Sequence, residues 1–164
     1  MRAGSSRVGN KRVFWEGIII LAESNKMHME TAIAKDDFAS AGEASSRVKK
    51  TLTMLGVPPA LIKRISVAMY EAEINAFIHG GGGTAYTDIY PDRIEILIED
   101  HGKGIEDIEL AMQEGYSTAT EEVQMLGFGA GMGLPNMKNN ADELTIDSHP
   151  GEGTKVRMRF YIGT

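Results

Sequence analysis

Glycine is concentrated in one half of this chain. Of the 19 glycines among 164 residues, 13 lie between residues 80 and 153. They do not recur at every third position, so a collagen-like helix is excluded. In a globular chain, such a concentration indicates positive φ angles or close approach of the backbone to a ligand. We therefore expect the functional site in this half of the chain.

Composition narrows the class of protein. A hydrophobic fraction of 42% over 164 residues is enough for one packed domain. The chain has no cysteine, which excludes disulfides, thiolate metal sites and cysteine nucleophiles. The net charge of -6 disfavours a dedicated nucleic-acid binder, and no apolar run reaches the roughly 20 residues of a membrane span. We expect a cytoplasmic protein with no nucleic-acid or membrane partner.

Residues 1–26 differ from the rest because they are basic and hold one short apolar run, at residues 18–21. A signal peptide is disfavoured, since Glu16 and Gly17 interrupt the apolar region. We predict that residues 1–26 form a flexible extension or precede a true start at Met27 or Met29. Residues 27–164 are predicted to form the folded domain.

From residue 29 the hydrophobic pattern alternates between strands and helices. Helices are expected from Asp36 or Asp37 to 55, from Pro58 to 80, briefly near 105–113, and at 133–140. The predicted strands are 29–34, 84–90, 93–99, 144–148 and 154–162. This order predicts an α+β fold, with helices on one face of a mixed, mostly antiparallel sheet.

The second helix carries the first chemical motif. Glu71 and Asn75 are four residues apart and share one helical face. Both are costly to bury without a partner, and Mg²⁺ prefers such oxygen ligands; alternatively, both face water. His79 is expected to suit the end of the helix dipole rather than to act in catalysis, and residues 80–83 only to end the helix.

Three glycine motifs follow along the chain. Asp100 ends a strand before Gly102 and Gly104, where a carboxylate can accept a hydrogen bond from a ligand amino group. Alternating glycines at residues 127–133 precede a helix, where backbone N–H groups can hold a phosphate. Thr154 begins the last strand and can turn its hydroxyl into a pocket. The Asp100 and Thr154 motifs alone also fit ordinary turns. The glycine run alone also fits a flexible linker, which the helix directly after it disfavours.

In this order and spacing, the motifs E-x-x-x-N, D-x-G-x-G, G-x-G-M-G-L and G-x-G-T resemble the nucleotide-binding boxes of the GHKL ATPase superfamily. The resemblance covers about residues 29–162. Residues 71–80 resemble the asparagine box of anti-sigma factor serine kinases, and residues 114–118 and 129–135 resemble the related switch-protein kinases. The resemblance to the GHKL superfamily implies a two-layer α/β sandwich of the Bergerat, histidine-kinase-like ATPase type that binds ATP and Mg²⁺.

The resemblance also implies roles for single residues. Asn75 would coordinate Mg²⁺, Asp100 would receive the adenine amino group, and Thr154 would support that group directly or through water. The remaining contacts to adenine and phosphates would come from Gly102, Gly104, Ile105, Gly129, Gly131, Met132, Gly133 and Leu134. Residues 113–128 would form a mobile lid, and Glu71 is the candidate general base.

We therefore expect an anti-sigma-type serine/threonine kinase that phosphorylates a small antagonist protein of the sulfate-transporter/anti-sigma-antagonist (STAS) fold. The family resemblance suggests a homodimer, with a sigma factor as a candidate sequestered target. One departure matters: the anti-sigma branch commonly has an arginine before the phosphate-loop glycines, but residues 105–136 contain no lysine or arginine.

Two alternatives stay open. One is a nucleotide-dependent binding module without efficient phosphoryl transfer, which the acidic lid favours. The other is a detached histidine-kinase catalytic domain. It is disfavoured because His28 precedes a predicted strand rather than lying in a helical hairpin.

Overall fold

The sheet that organises the molecule contains seven strands. The computed structural model describes residues 12–15, 18–21, 25–35 and 37–163. Within these ranges every neighbouring strand pair is antiparallel, in the order β1-β2-β3-β4-β5-β7-β6. The strands are β1 Arg12–Trp15, β2 Ile18–Leu21, β3 Lys26–Ile33, β4 Gly83–Ile89, β5 Arg93–Asp100, β6 Glu143–His149 and β7 Gly153–Tyr161. The predicted α+β fold is confirmed, although the described strands include no parallel pair.

Helices cover one face of this sheet. The described helices are α1 Glu43–Met54, α2 Pro59–Ile78, α3 Ile108–Ala111, α4 Glu121–Met125 and α5 Gly133–Asn140, with a 3-10 helix at Phe38–Ser40. Pro59 opens α2, because proline suits the first helical position, where no intrahelical N–H bond is needed. None of the described helices is both long enough and apolar enough to cross a membrane.

Strand β5 shows how the core positions the site. Its buried residues alternate with partly exposed ones, so Ile94, Ile96 and Ile98 face the helices. Each fully buried side chain of this kind contributes roughly 1.5–3 kcal/mol. The same alternation makes Asp100 the last buried residue of the strand. Its carboxylate therefore lies on the helix-covered face, at the end of the sheet.

The first predicted helix is wrong in its opening turns. Asp37 caps only the 3-10 helix, accepting a hydrogen bond from the N–H of Ala39 at 3.1 Å, while Asp36 lies outside the described residues. The chain then passes through Gly42, which has a φ of +90°. A left-handed residue cannot continue a right-handed helix, so α1 begins only at Glu43.

A distant carboxylate caps α1. Both oxygens of Glu73 accept hydrogen bonds from the first turn of this helix, from Ala44 N–H and Ser45 N–H at 2.9 Å each. Glu73 is only 1% exposed, and its negative charge suits the positive end of the helix dipole. The start of α1 is therefore fixed both by Gly42 and by a carboxylate from α2.

The predicted N-terminal extension includes β1 and β2. Strand β2 pairs with β3, with Ile18 opposite Met29. Residues 1–11, 16–17 and 22–24 lie outside the described ranges. The expected domain boundary at residue 26 stays a prediction, although the sheet extends across it.

Candidate functional site

Three polar side chains form a row across the end of the sheet. Strand register sets Asp100 of β5 opposite Thr154 of β7, and Thr154 opposite Ser148 of β6. Directly paired side chains point to the same face, which here is the face that the helices cover. Asp100 is 8% exposed and Ser148 is 9% exposed. The row is therefore a mostly dry group of hydrogen-bonding atoms at the rim of the core.

The Asp100 carboxylate is held in place by backbone N–H groups. Its Oδ1 accepts a hydrogen bond from Gly102 N–H at 3.0 Å. Burial raises the pKa of Asp100, and the hydrogen bonds from the backbone of Gly102 and Thr154 oppose that rise. Such a carboxylate is a fixed acceptor with little competing water, which suits recognition of a ligand N–H group.

Ser148 ties three segments together at this point. Its hydroxyl oxygen accepts a hydrogen bond from Ile105 N–H at 2.8 Å, donates to the Gly153 carbonyl at 3.0 Å, and lies 2.8 Å from Thr154 Oγ1. Our sequence reasoning missed this residue. Its position in the β6–β7 hairpin, opposite Thr154, was the signal that could have found it.

Glycines allow the loops to close around this row. A Cβ atom on Gly102 would collide with the Gly80 backbone and the His79 carbonyl, and one on Gly80 would collide with the Asp100 side chain. The expectation that residues 80–83 only end the helix is therefore wrong for Gly80, which also makes room for Asp100. Gly104 has a φ of +72° and lies against the His149 carbonyl.

His79 lies at the C-terminal end of α2, as expected, and is partly buried. Burial and the nearby Lys103 ammonium lower its pKa. A lowered pKa weakens the charged interaction with the helix dipole that the sequence suggested. The His79 carbonyl borders Gly102 in the loop after Asp100.

At the other end of the site, Glu71 and Asn75 border the first turn of α5. Asn136 Nδ2 donates a hydrogen bond to Glu71 Oε1 at 2.7 Å. A Cβ built on Gly133 would lie 3.3 Å from Asn75 Oδ1 and 3.5 Å from Glu71 Oε2. The predicted pair thus meets the glycine-rich loop, with Asn136 as a partner that the sequence did not suggest.

The donor set at this end suits a cation shared with a phosphate. No group of three His, Asp or Glu side chains that could hold a metal ion occurs among the described residues. Mg²⁺ often takes only one or two protein oxygens and completes its shell with phosphates and water. Met132, the N-cap residue of α5, makes no side-chain capping hydrogen bond, so the backbone N–H groups of Gly133 and Leu134 are available to an anion.

The segment predicted to form the lid, residues 113–128, packs against the glycine loop, residues 129–133. A Cβ on Gly129 would collide with that of Ala119, and Gly115 N–H donates to the Gly131 carbonyl at 2.9 Å. Met132 comes directly before α5, and Leu134, in its first turn, is 8% exposed. Helix α4 within the lid was not predicted.

An aromatic contact joins the end of the lid to the body of the domain. Phe128 stacks on Phe38 with ring centroids 5.9 Å apart, and Phe38 meets the edge of Phe77 on α2 at 4.9 Å. By contrast, Met125 is 86% exposed and Leu126 is 56% exposed. Phe128 therefore joins this segment to the body of the domain, whereas Met125 and Leu126 face solvent.

A sheet covered by helices, with a buried carboxylate at the end of one strand and a glycine-rich loop that leads into a helix, is compatible with a nucleotide-binding domain. The sequence profile of the histidine kinase-like ATPase domain matches residues 35–160. The chain belongs to this family, and the family implies that it binds ATP.

Its relatives define the branch more closely. An anti-sigma F factor of Thermoanaerobacter sp. (strain X514) is 44% identical over 108 residues, which are 63% of this chain and 72% of the relative. The serine/threonine-protein kinase RsbT of Bacillus subtilis (strain 168) is 33% identical over 125 residues, 74% of this chain and 86% of RsbT. The anti-sigma F factor of the same organism is 30% identical over 149 residues, 84% and 93% of the two chains. The chain is thus a member of the anti-sigma factor and switch-protein kinase branch of the GHKL superfamily.

Proposed function

We propose that this chain is a cytoplasmic, Mg-ATP-dependent serine/threonine kinase that phosphorylates a small STAS-type antagonist protein and so controls partner switching. The observation that carries the proposal is the pairing of two ends of one site. Asp100 offers an acceptor at the end of the sheet, and Glu71 and Asn75 border the uncapped first turn of α5. The similarity to the serine/threonine-protein kinase RsbT supports the same activity.

The residues divide the work of phosphoryl transfer between them. Asp100 accepts a hydrogen bond from the amino group of the base. Backbone N–H groups of residues 129–134 hold the phosphates. Asn75 would hold a Mg²⁺ ion, which would neutralise phosphate charge. Phosphoryl transfer depends mainly on such positioning and charge neutralisation. The site therefore needs little covalent chemistry from the protein.

Glu71 is the proposed general base. Its carboxylate takes the proton of the substrate hydroxyl as that oxygen bonds to the terminal phosphorus of ATP and the bond from this phosphorus to the departing ADP breaks. The hydrogen bond from Asn136 Nδ2 to Oε1 fixes the orientation of the carboxylate, and Oε2 faces the position of Gly133. The base therefore lies beside the loop proposed to hold the phosphates.

A second candidate is a nucleotide-dependent binding module without efficient transfer. Its support is the charge of the segment at residues 105–136, which holds no lysine or arginine. Its acidic side chains are exposed: Glu106, Asp107, Glu109, Glu114, Glu121 and Glu122. Added negative charge near a phosphate opposes transfer because like charges repel. Lys103 and Lys138 flank this segment and are the nearest cations in sequence.

Two separate measurements decide between the candidates. ATP binding is measured by calorimetry, and transfer is followed as labelled phosphate moving from ATP to the cognate antagonist. We expect the native protein to do both. Glu71→Gln should bind ATP normally but transfer at least roughly a hundredfold more slowly, the usual size of a lost general base. Binding by the native protein without transfer would favour the module.

A matched control addresses the histidine-kinase alternative. His28 bonds Asp88 at 2.7 Å on the outer face of the sheet, away from the proposed site. His28→Asn should leave transfer unchanged. A loss of phosphorylation in this variant, with ATP binding intact, would contradict the serine/threonine assignment.

We extend the proposal to the assembly of the protein. A homodimer that sequesters a sigma factor, with residues 27–164 sufficient to bind nucleotide, is the arrangement that the family resemblance favours. Sedimentation with and without ATP and a purified sigma factor tests it. A monomer at all concentrations that binds no sigma factor would contradict this extension and leave the kinase proposal standing.

A further inference from the structure

The hydrogen bonds of Ser148 determine the direction of a second hydroxyl. A serine hydroxyl has one hydrogen and two lone pairs. Ile105 N–H occupies one lone pair, at 2.8 Å, and the Gly153 carbonyl receives the hydrogen, at 3.0 Å. Only a lone pair then remains for the 2.8 Å contact with Thr154 Oγ1. Thr154 must therefore be the donor in this contact.

We infer that Ser148 sets the base specificity of the nucleotide site by fixing the direction of the Thr154 proton. With its hydrogen directed at Ser148, Thr154 has only lone pairs left for the pocket. The neighbouring Asp100 carboxylate, when ionised, is likewise an acceptor only. The row thus presents two acceptors side by side, so a ligand group or bridging water that meets it must donate.

This arrangement separates the two purine nucleotides. Adenine carries an exocyclic amino group with two hydrogens, whereas guanine carries a carbonyl oxygen at the same ring position. An acceptor facing another acceptor leaves both unpaired, which is costly where water is excluded. Asp100 and Ser148 are 8% and 9% exposed, so water cannot easily relieve the mismatch. The row therefore selects ATP over GTP.

Ser148 acts here as a positioning residue, because its effect passes through Thr154, and the inference rests on the proposed ATP site. A merely structural role, in which Ser148 only links the hairpin to the loop at Ile105, predicts a different result. It would lower the free energy of unfolding without changing the ratio of ATP to GTP affinity. That ratio is therefore the decisive readout.

The experiment is a double-mutant cycle on the full chain. Affinities for ATP and GTP are measured with magnesium chloride present for the native protein, Ser148→Ala, Thr154→Val and the double variant. Ser148→Ala frees the Thr154 proton, so the ATP/GTP affinity ratio should fall about tenfold, the effect of one hydrogen bond. In the Thr154→Val background there is no proton to direct, and Ser148→Ala should change the ratio no further.

Control variants separate the outcomes. Thr145→Ala removes a hydroxyl from the same strand at an exposed position and should leave the ratio unchanged, and Ser148→Thr should keep it. A native ratio in a folded Ser148→Ala, or a loss that persists beside Thr154→Val, would overturn the inference. If Ser148→Ala does not fold, Thr154→Val decides alone, because a native ratio there also overturns it. A native protein that binds no ATP contradicts the proposed function itself.

Discussion

At the end of the sheet, strand pairing brings together the mostly buried polar side chains of the proposed base pocket. The lid at residues 113–128 instead consists of turns and helix α4, and most of its side chains are exposed. Asp100 is 8% exposed, but Met125 is 86% exposed. The base end has hydrogen bonds that join three strands. The lid contacts the rest of the domain where Gly115 and Ala119 meet the glycine loop and where Phe128 stacks on Phe38.

The difference between the mostly buried base pocket and the exposed lid suggests how the two ends of the site bind one ligand. Strand register positions the base end before any ligand arrives. Segments with few buried contacts open at low free energy and are the ones that typically move during turnover. We therefore expect the base to be recognised by a preformed pocket and the phosphates by a loop that the nucleotide itself orders.

Two glycines with the same left-handed backbone test the contrast most strongly. Gly104 has a φ of +72° and lies against the His149 carbonyl, whereas Gly127 has a φ of +87° and a Cβ atom placed on it would have no neighbour within 4 Å. Gly104→Ala should lose about 3 kcal/mol of unfolding free energy, from left-handed strain and overpacking. Gly127→Ala should lose about 1 kcal/mol from strain alone. Equal losses in urea unfolding would show that the sheet end is no tighter than the lid.

Removing the charge of Asp100 should affect ligand binding more than folding. Asp100→Asn should weaken ATP binding by between about tenfold and a hundredfold, because hydrogen bonds to charged groups contribute about 1.5–3 kcal/mol. The matched control is Asp147→Asn, an exposed residue that pairs with His149 at 3.3 Å. Calorimetry should find native affinity for the control. Native affinity in Asp100→Asn would remove this residue from the base pocket.

Asp100 also predicts a pH dependence of binding. Burial raises its pKa, so the carboxylate is protonated on acidification at a higher pH than an exposed aspartate would be. Protonation removes an acceptor from the pocket, and ATP affinity should fall as the pH falls through that range. Titrations of Asp100→Asn over the same pH range should lack this decline. A decline of the same size in the variant would assign it to another group.

Neighbouring glutamates should separate stability from chemistry. Glu73→Gln leaves one acceptor where two N–H groups of α1 need partners, so the free energy of unfolding should fall by about 2 kcal/mol. Glu71 is partly exposed and bonds only Asn136 among the described hydrogen bonds, so Glu71→Gln should change stability by less than about 0.5 kcal/mol. The reverse ranking in urea unfolding would contradict the assigned roles.

The smallest predicted effect concerns His79. Its pKa is lowered in the folded protein, so below pH about 6.5 the unfolded chain binds more protons than the folded one. Acidification through this range should therefore favour unfolding. His79→Asn should lessen the loss of stability between about pH 7 and pH 5, by less than about 1 kcal/mol. Parallel curves for the two proteins would show that the imidazole does not titrate differently on folding.

Local sequence patterns predicted most of the fold. The α2 and α5 helices, and the hairpins β4–β5 and β6–β7, each follow from residues close together in the chain. The start of α1 could not be predicted in this way, because its cap comes from Glu73, which lies 29 residues beyond Ala44. Strands β1 and β2 were also not predicted, because a four-residue apolar run such as residues 18–21 is compatible with many structures.

The candidate site shows the same division. Motif spacing predicted Asp100, Thr154, Glu71 and Asn75 as site residues because each lies in a short, recognisable pattern. Ser148 and Asn136 carry no such pattern, and only strand register and helix packing bring them to their partners. The need for glycine at position 80 likewise comes from Asp100, which is distant in sequence.

Amide hydrogen exchange with and without nucleotide distinguishes a preformed base pocket from a phosphate loop that the nucleotide orders, because it follows both ends of the site at once. Without ligand, residues 98–100 and 154–156 should exchange slowly and residues 113–128 quickly. Adenosine should add protection only at the sheet end and the loop at residues 102–105, and ATP should also protect residues 113–134. Two results would contradict a preformed base pocket beside a lid that the nucleotide orders. One is that ATP leaves the exchange rates of residues 100–105 unchanged. The other is that the lid exchanges as slowly as the sheet end before ATP is added.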